Sequence, residues 1–262
     1  MFILFIKGFF VGLGKIIPGV SGSVLAMTLG IYDKLLNIIS SFYKNIKENI
    51  KFVFPIALGI FISITLGSNI IFFLLNNYFV ITIMFFIGLI IGGVPNLLKK
   101  TNFKSYKNIV IFLISFMIII STSFVSSNKI SNNYSFIEMF LIGIVEAISM
   151  IVPGLSGTAI MMMLGCYNTV LVMFSNVFSN INILIPFLIG ALTGIIILSK
   201  IIAYFLKNYE KETYSSVLGF LIASILILIG ESIAKITDMK SIFIGIFLLF
   251  VGTFLSKLLD KW

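Results

Sequence analysis

The chain has 262 residues, 60% of them hydrophobic and 10% charged, with mean hydropathy +1.19 and formal charge +9. So apolar a composition exceeds what a water-soluble core absorbs, so residues 1–262 are expected to form a single membrane domain of the all-α polytopic class. All 18 basic residues are lysines, and they gather between apolar segments, as orientation in a bilayer requires, rather than on a nucleic-acid-binding face.

Residues 2–39 are apolar almost throughout, interrupted at Pro18-Gly19-Val20-Ser21-Gly22. A straight helix of that length would reach roughly 57 Å, about twice the hydrocarbon thickness, so the chain is expected to turn back. Pro18 removes a backbone donor, and Gly19 and Gly22 admit the dihedrals of a reversal. The expectation is a re-entrant helical hairpin with two continuous arms of roughly 24–27 Å and its tip inside the membrane. Residues 1–14 lack a basic region ahead of the apolar run and are read as part of this hairpin, not as a cleaved signal. Polar residues 40–51 follow, then apolar segments at 52–75, 79–98 and 108–125. A second hairpin is expected at 136–174, with spans at 183–206, 214–230 and 241–257.

The second half repeats the first. Residues 8–36 and 143–171 share 11 identities in 29 positions, including the Pro-Gly-x-Ser-Gly break that recurs at Pro153-Gly154-Leu155-Ser156-Gly157. Pro55/Pro186, Gly59/Gly190, Asn77/Asn208 and Tyr78/Tyr209 coincide at a second offset. The reading is therefore repeat one at 1–127 and repeat two at 134–262, each a hairpin plus three transmembrane helices. A hairpin returns to the side it came from, so each copy crosses three times, and an odd number makes the copies inverted. With residues 40–51 in the cytoplasm, eleven lysines lie in inner loops and ends against three outside, namely Lys129, Lys235 and Lys240. Both termini are then cytoplasmic, and the two breaks approach each other from opposite faces.

A broken helix at membrane depth needs partners for its freed backbone groups, and a helix starting there offers N–H groups to an anion. Inverted-repeat transporters bind substrate at such midplane helix ends. The expected substrate-binding residues are Lys15, Pro18, Gly19, Ser21, Gly22 and Ser23 in the first hairpin, with Pro153, Gly154, Ser156, Gly157 and Thr158 in the second. The plainer alternative is that the serines cap helices and the glycines permit close packing. Lys15 and Glu146 lie deep on the two hairpins. Two readings stay open: a structural salt bridge between them, or Lys15 on an anionic substrate with Glu146 as a titratable coupling group. Tyr32 and Tyr167 read as aromatic-belt anchors, Asp33 as interfacial, and Lys34 and Lys200 as snorkelling cations.

At these residues the chain resembles the polyprenyl-phosphate transporter family. The matching positions are Lys7-Gly8, Pro18 through Gly22 and Gly30-Ile31-Tyr32, then Met150-Ile151-Val152, Pro153 through Gly157 and Gly165-Cys166-Tyr167. Ser23 and Lys15 depart from the family's usual small residues. The resemblance implies a plasma-membrane carrier that returns undecaprenyl phosphate from the outer to the inner leaflet for reuse in cell-envelope synthesis. The partners are then the polyprenyl-phosphate lipid and the bilayer, with no nucleic acid; a homo-oligomer stays open. Moving an anion inward against an inside-negative potential makes coupling to H+ or Na+ a reasonable expectation. The alternative is a secondary transporter of a small organic or inorganic anion. An enzyme is not expected. Without His there is no base for a serine nucleophile, and without Arg no guanidinium clamp for phosphoryl transfer. With Cys166 alone an intramolecular disulfide or cysteine metal cluster is excluded, and no cofactor is expected.

Overall fold

The computed structural model describes residues 1–262 except 18, 42–44, 123–133, 156, 158–159, 162–163, 167–168, 171–172, 174–179, 237 and 261–262. Among the described residues the helices are α1 (Phe2–Ile16), α2 (Gly22–Thr28), α3 (Tyr32–Ser40), α4 (Ile46–Asn77), α5 (Phe79–Lys99), α6 (Tyr106–Thr122), α7 (Phe136–Ile151), α8 (Ile181–Asn208), α9 (Glu210–Ala234) and α10 (Met239–Asp260). No strand occurs among them. Five of these helices (α4, α5, α8, α9 and α10) are long and apolar enough to cross a membrane. Helix α6, with 17 residues, reaches only about 26 Å. The chain is a multi-pass helical membrane protein.

The first hairpin departs from expectation in one respect. Its second arm is not continuous: α2 and α3 meet at a bend of 114°. The cause is local. Gly30 takes φ +71°, its N–H bonds to Met27 O at 3.1 Å, and Ile31 N–H reaches Ala26 O at 2.9 Å. That pair of bonds is a Schellman stop, which a left-handed glycine makes easy and a side chain resists. The second copy repeats it, with Gly165 at φ +71° and Cys166 N–H on Met161 O at 3.0 Å.

Helices pair as α1 with α4, α7 with α8, α5 with α10 and α6 with α9; α2 bridges to α5 and α7. Small residues set the first two crossings. A Cβ on Gly8 would strike Ile56 O, and one on Gly59 would strike Phe5 O. In the second copy, Gly143 lies against Phe187 O and Gly190 against Phe140 O. Without a hydrophobic drive between helices in lipid, such backbone-to-backbone contact supplies the dispersion energy that holds a pair together.

The main core gathers Ile17, Leu25, Leu29, Ile87, Leu89, Leu218 and Leu228 around the first break, and a smaller one gathers Met139, Cys166, Met173 and Phe187. On α10, Phe243, Phe247, Phe250 and Phe254 are all exposed at helical spacing. Facing water, that stripe would drive aggregation; facing acyl chains, it is the expected surface.

Candidate substrate site at the two helix breaks

Each break is built by the same local chemistry. In the first, Ile17 N–H closes α1 on Leu13 O at 3.3 Å, and Val20 N–H bonds back to Ile17 O at 3.2 Å. In the second, Val152 N–H reaches Ile148 O at 2.7 Å, and Leu155 N–H reaches Val152 O at 3.4 Å. Between them sit Gly19 at φ +78° and Gly154 at φ +90°, values that a β-carbon would oppose.

The structure brings the two breaks together. The Lys15 ammonium pairs with the Glu146 carboxylate and lies 3.5 Å from Ser149 Oγ. Ser149 Oγ donates to Glu146 O at 2.7 Å and lies 3.3 Å from Glu146 Oε2. Gly157 fits over this group, since a Cβ there would run into Ser149 Oγ and Glu146 Oε2. Of the two readings left open for Lys15 and Glu146, direct pairing is therefore present.

At the first break the serines do not act as simple caps. Ser21 stands at the N-cap of α2 in extended backbone but makes no side-chain cap bond; its Oγ lies 2.8 Å from Ser23 Oγ. Ser23 Oγ is placed to donate across the interface, 3.3 Å from both Ser149 O and Val152 O. Ser149 O belongs to the last turn of α7, which has no next turn to bond it, and Val152 O, at the helix's C-cap, receives only the long bond from Leu155 N–H. In a medium without water such carbonyls need donors from elsewhere, and the Ser23 hydroxyl of the first hairpin is within reach of both. Both serines are buried. Helix α2 has seven residues, so its end carries less dipole than a full span, and the polar weight of the site falls on Lys15 and the hydroxyls.

Tyr32 corrects the aromatic-belt expectation. It is buried, and its hydroxyl donates to Ile151 O at 2.5 Å, capping another orphan carbonyl of α7. Asp33, expected at the interface, accepts from Lys100 Nζ at 2.7 Å and from Tyr214 OH at 2.6 Å. Lys34 lies over the Phe52 ring at 4.2 Å, as a snorkelling cation does.

Among the expected site residues, Lys15, Ser21, Gly22, Ser23, Glu146 and Gly157 therefore meet around the breaks. Gly19 packs on Leu228, while Gly154 packs on Phe220 and accepts from Ser224 Oγ at 3.1 Å. Pro153 lines a small cavity of about 60 Å³ between Met27, Tyr32, Leu206 and Val217. Pro18, Ser156, Thr158 and Tyr167 lie outside the described residues. Sequence reasoning missed Ser149, although its place one turn after Glu146 on the same helix face was a usable signal. It also missed Tyr214, which nothing in its local pattern distinguishes.

The family model described as undecaprenyl phosphate translocase-like matches residues 11–244. The chain belongs to this family. A Staphylococcus aureus relative named polyprenyl-phosphate transporter is 30% identical over 235 residues, 84% of this chain and 83% of its own. A Vibrio cholerae relative of the same name is 26% identical over 235 residues, 84% of this chain and 75% of its own. No solved structure matches. The membership covers both breaks and the spans between them.

Beside the breaks lies a larger cavity of about 360 Å³, lined among others by Met27, Tyr32, Asp33, Asn96, Lys99 and Lys100. Met27 and Tyr32 also line the cavity at Pro153, so the two spaces share a wall.

Proposed function

We propose that this protein carries undecaprenyl phosphate from the outer to the inner leaflet of the plasma membrane, for reuse in envelope synthesis. The observation that carries the reading is the meeting of the two repeated helix breaks at a half-buried ammonium, Lys15, with hydroxyls on both sides. The names of the family and its relatives favour a lipid phosphate over a small soluble anion. The head group sits between the breaks while the isoprenoid tail stays in the bilayer.

Inverted repeats support an alternating route. Span two of the first copy, α5, packs on span three of the second, α10, and span three of the first, α6, packs on span two of the second, α9. A two-fold relation between copies demands such exchanged pairs. The crossing parity and the lysine distribution favour inversion over a parallel repeat, with both termini in the cytoplasm.

The Lys15–Glu146 pair suggests how substrate and cation are linked. A phosphate arriving at Lys15 replaces Glu146 as its counter-anion, and the released carboxylate takes up an inward-moving H+ or Na+. Each negative charge moved inward costs about 2.3 kcal/mol per 100 mV, which such a cation offsets.

The test is transport of labelled undecaprenyl phosphate in proteoliposomes, comparing wild type with Ser21→Ala/Ser156→Ala. Wild type moves the lipid between leaflets and the double variant loses most of that rate. Wild-type vesicles no faster than protein-free ones sink the reading. Unchanged transport without any ion gradient or potential removes the coupling step alone.

A further inference from the structure

We propose that α3 is a lid on the cytoplasmic side of the breaks, hinged at Gly30 and latched through Asp33 to Lys100 and Tyr214. It is closed in this structure and swings away when the head group leaves toward the cytoplasm. This rests on the carrier reading above and deepens it by naming the element that gates one side of the site.

The lid is set apart by its own backbone. Gly30, at φ +71°, ends α2 and turns the chain through 114°, so the nine residues of α3 leave the line of the arm and pack on α8 of the second copy. Tyr32, Leu36 and Ile38 are buried, while Lys34 and Asn37 are exposed. A short helix beyond a left-handed glycine moves as a unit when that one residue changes its dihedrals.

Polar groups from other helices hold it down. Asp33 Oδ2 accepts from Lys100 Nζ at 2.7 Å, at the C-cap of α5, and from Tyr214 OH at 2.6 Å, near the start of α9. Lys100 Nζ also donates to Tyr214 OH at 2.7 Å, which closes the triangle. Asp260, at the end of α10, accepts from Asn96 Nδ2 and lies against the hinge, where a Cβ on Gly30 would come within 2.7 Å of Asp260 Oδ1. Under the proposed orientation these helix ends are cytoplasmic. The matching residue in the second copy is Asn168, so the Asp33 carboxylate is not a legacy of the duplicated hairpin. One defect is built into the latch. Asp33 Oδ1 is buried and receives no hydrogen bond from the described residues. A buried carboxylate oxygen without a donor carries a cost that exposure to water relieves, so the closed lid is poised to open.

Behind the latch lie the two cavities. Latch residues line the space of about 360 Å³, Pro153 and Val217 line the space of about 60 Å³, and Met27 and Tyr32 line both. Tyr32 is the first residue of α3, and its hydroxyl is held by Ile151 O at the second break. A swing of α3 that frees Asp33 also withdraws Tyr32. The two spaces then form one passage from the ends of α5 and α10 to the second break.

The test follows a thiol behind that wall, in the full chain in nanodiscs. Val217 is buried and lines the inner of the two spaces but not the outer. Val217→Cys is reacted with a small membrane-impermeant methanethiosulfonate, and wild type, whose Cys166 is buried, gives the background. Adding Asp33→Ala should raise the labelling rate about tenfold, as loss of charge-assisted bonds to the closed state does. Adding Tyr214→Phe, which keeps the ring and deletes one donor, should raise it less. Lys107→Gln breaks an ion pair between α6 and α9 to which α3 contributes nothing, and should leave the rate unchanged. A rate moved by neither Asp33→Ala nor Tyr214→Phe overturns the lid. Equal acceleration by Lys107→Gln overturns it too, because that reports general loosening. Labelling needs no cargo, so the two proposals fail separately. Lipid transport with an unmoved labelling rate removes the lid and leaves the carrier, while faster labelling in a protein that moves no lipid does the reverse.

Discussion

Lys15 and Glu146, 131 positions apart in sequence, form the ion pair that joins one helix break to the other. Their side chains are 34% and 16% exposed, so neither is fully hydrated and neither is fully buried. Removing one partner strands a half-desolvated charge. Lys15→Met or Glu146→Gln alone should lower stability by about 1–3 kcal/mol, less than for a fully buried pair because Lys15 keeps some solvent. Lys15→Met/Glu146→Leu should recover most of that loss, since two apolar side chains replace a pair that was expensive to desolvate. Thermal melts of the purified protein decide it. Single variants as stable as wild type would show that the pair contributes nothing to holding the hairpins together. Under the proposed function the double variant still fails to transport, which separates the pair's structural role from its substrate role.

The end of α7 gives the second prediction. Its terminal carbonyls are served across the interface by Tyr32 and Ser23. Tyr32→Phe keeps the ring and deletes only the donor, leaving Ile151 O buried and unpaired, at a cost of about 1–3 kcal/mol. Ser23→Ala removes two longer contacts of 3.3 Å and should cost less, about 0.5–1 kcal/mol. The order of the two melting midpoints is the measurement. A Ser23→Ala protein less stable than Tyr32→Phe would contradict this account of how the carbonyls are satisfied.

These contacts also show where the sequence was informative. That Lys15 and Glu146 should be neighbours followed from duplication and crossing parity, without any knowledge of packing. The breaks were visible because Pro-Gly-x-Ser-Gly has few other uses inside an apolar run. The bend between α2 and α3 was not expected, although Gly30 carried its signal. A glycine one residue past a short helix is a stop only if the chain then turns, and Leu29-Gly30-Ile31 is apolar enough to pass for a continuing arm. Tyr32 was misread for the same reason. Placed at the end of a straight arm it belongs at the interface, whereas past a 114° bend it points into the core. The Asp33–Lys100–Tyr214 cluster draws on three helices, and no local pattern announces a meeting of that kind.

The paired glycine crossings predict a contrast within one residue type. At Gly8 and Gly59 an added methyl meets the partner's backbone, which cannot swing aside as a side chain can. Gly8→Ala or Gly59→Ala should separate α1 from α4 and cost about 1–3 kcal/mol or more, with Gly143→Ala and Gly190→Ala behaving alike at α7 and α8. Gly230, in α9, has nothing within 4 Å of its would-be Cβ. Gly230→Ala should leave stability unchanged or raise it by up to about 1 kcal/mol, through helix propensity alone. Yield of monodisperse protein and its melting midpoint report the difference. Equal behaviour of Gly230→Ala and Gly8→Ala would sink the close-packing argument.

Orientation makes the last prediction, and it needs no purified protein. Lys47 and Lys104 are separated by α4 and α5, an even number of crossings, and should share a side. Between Lys104 and Lys240 lie α6, the second hairpin, α8 and α9. If that hairpin returns to the face it came from, the count is three; if it spans fully, the count is five. Either way it is odd. All three lysines are exposed. In intact cells, an impermeant maleimide should therefore label Lys240→Cys, and label Lys47→Cys and Lys104→Cys only after the membrane is opened. Labelling of Lys104→Cys and Lys240→Cys from the same side would make the number of crossings even. The copies could not then be inverted, and two breaks arriving from opposite faces would have to be abandoned.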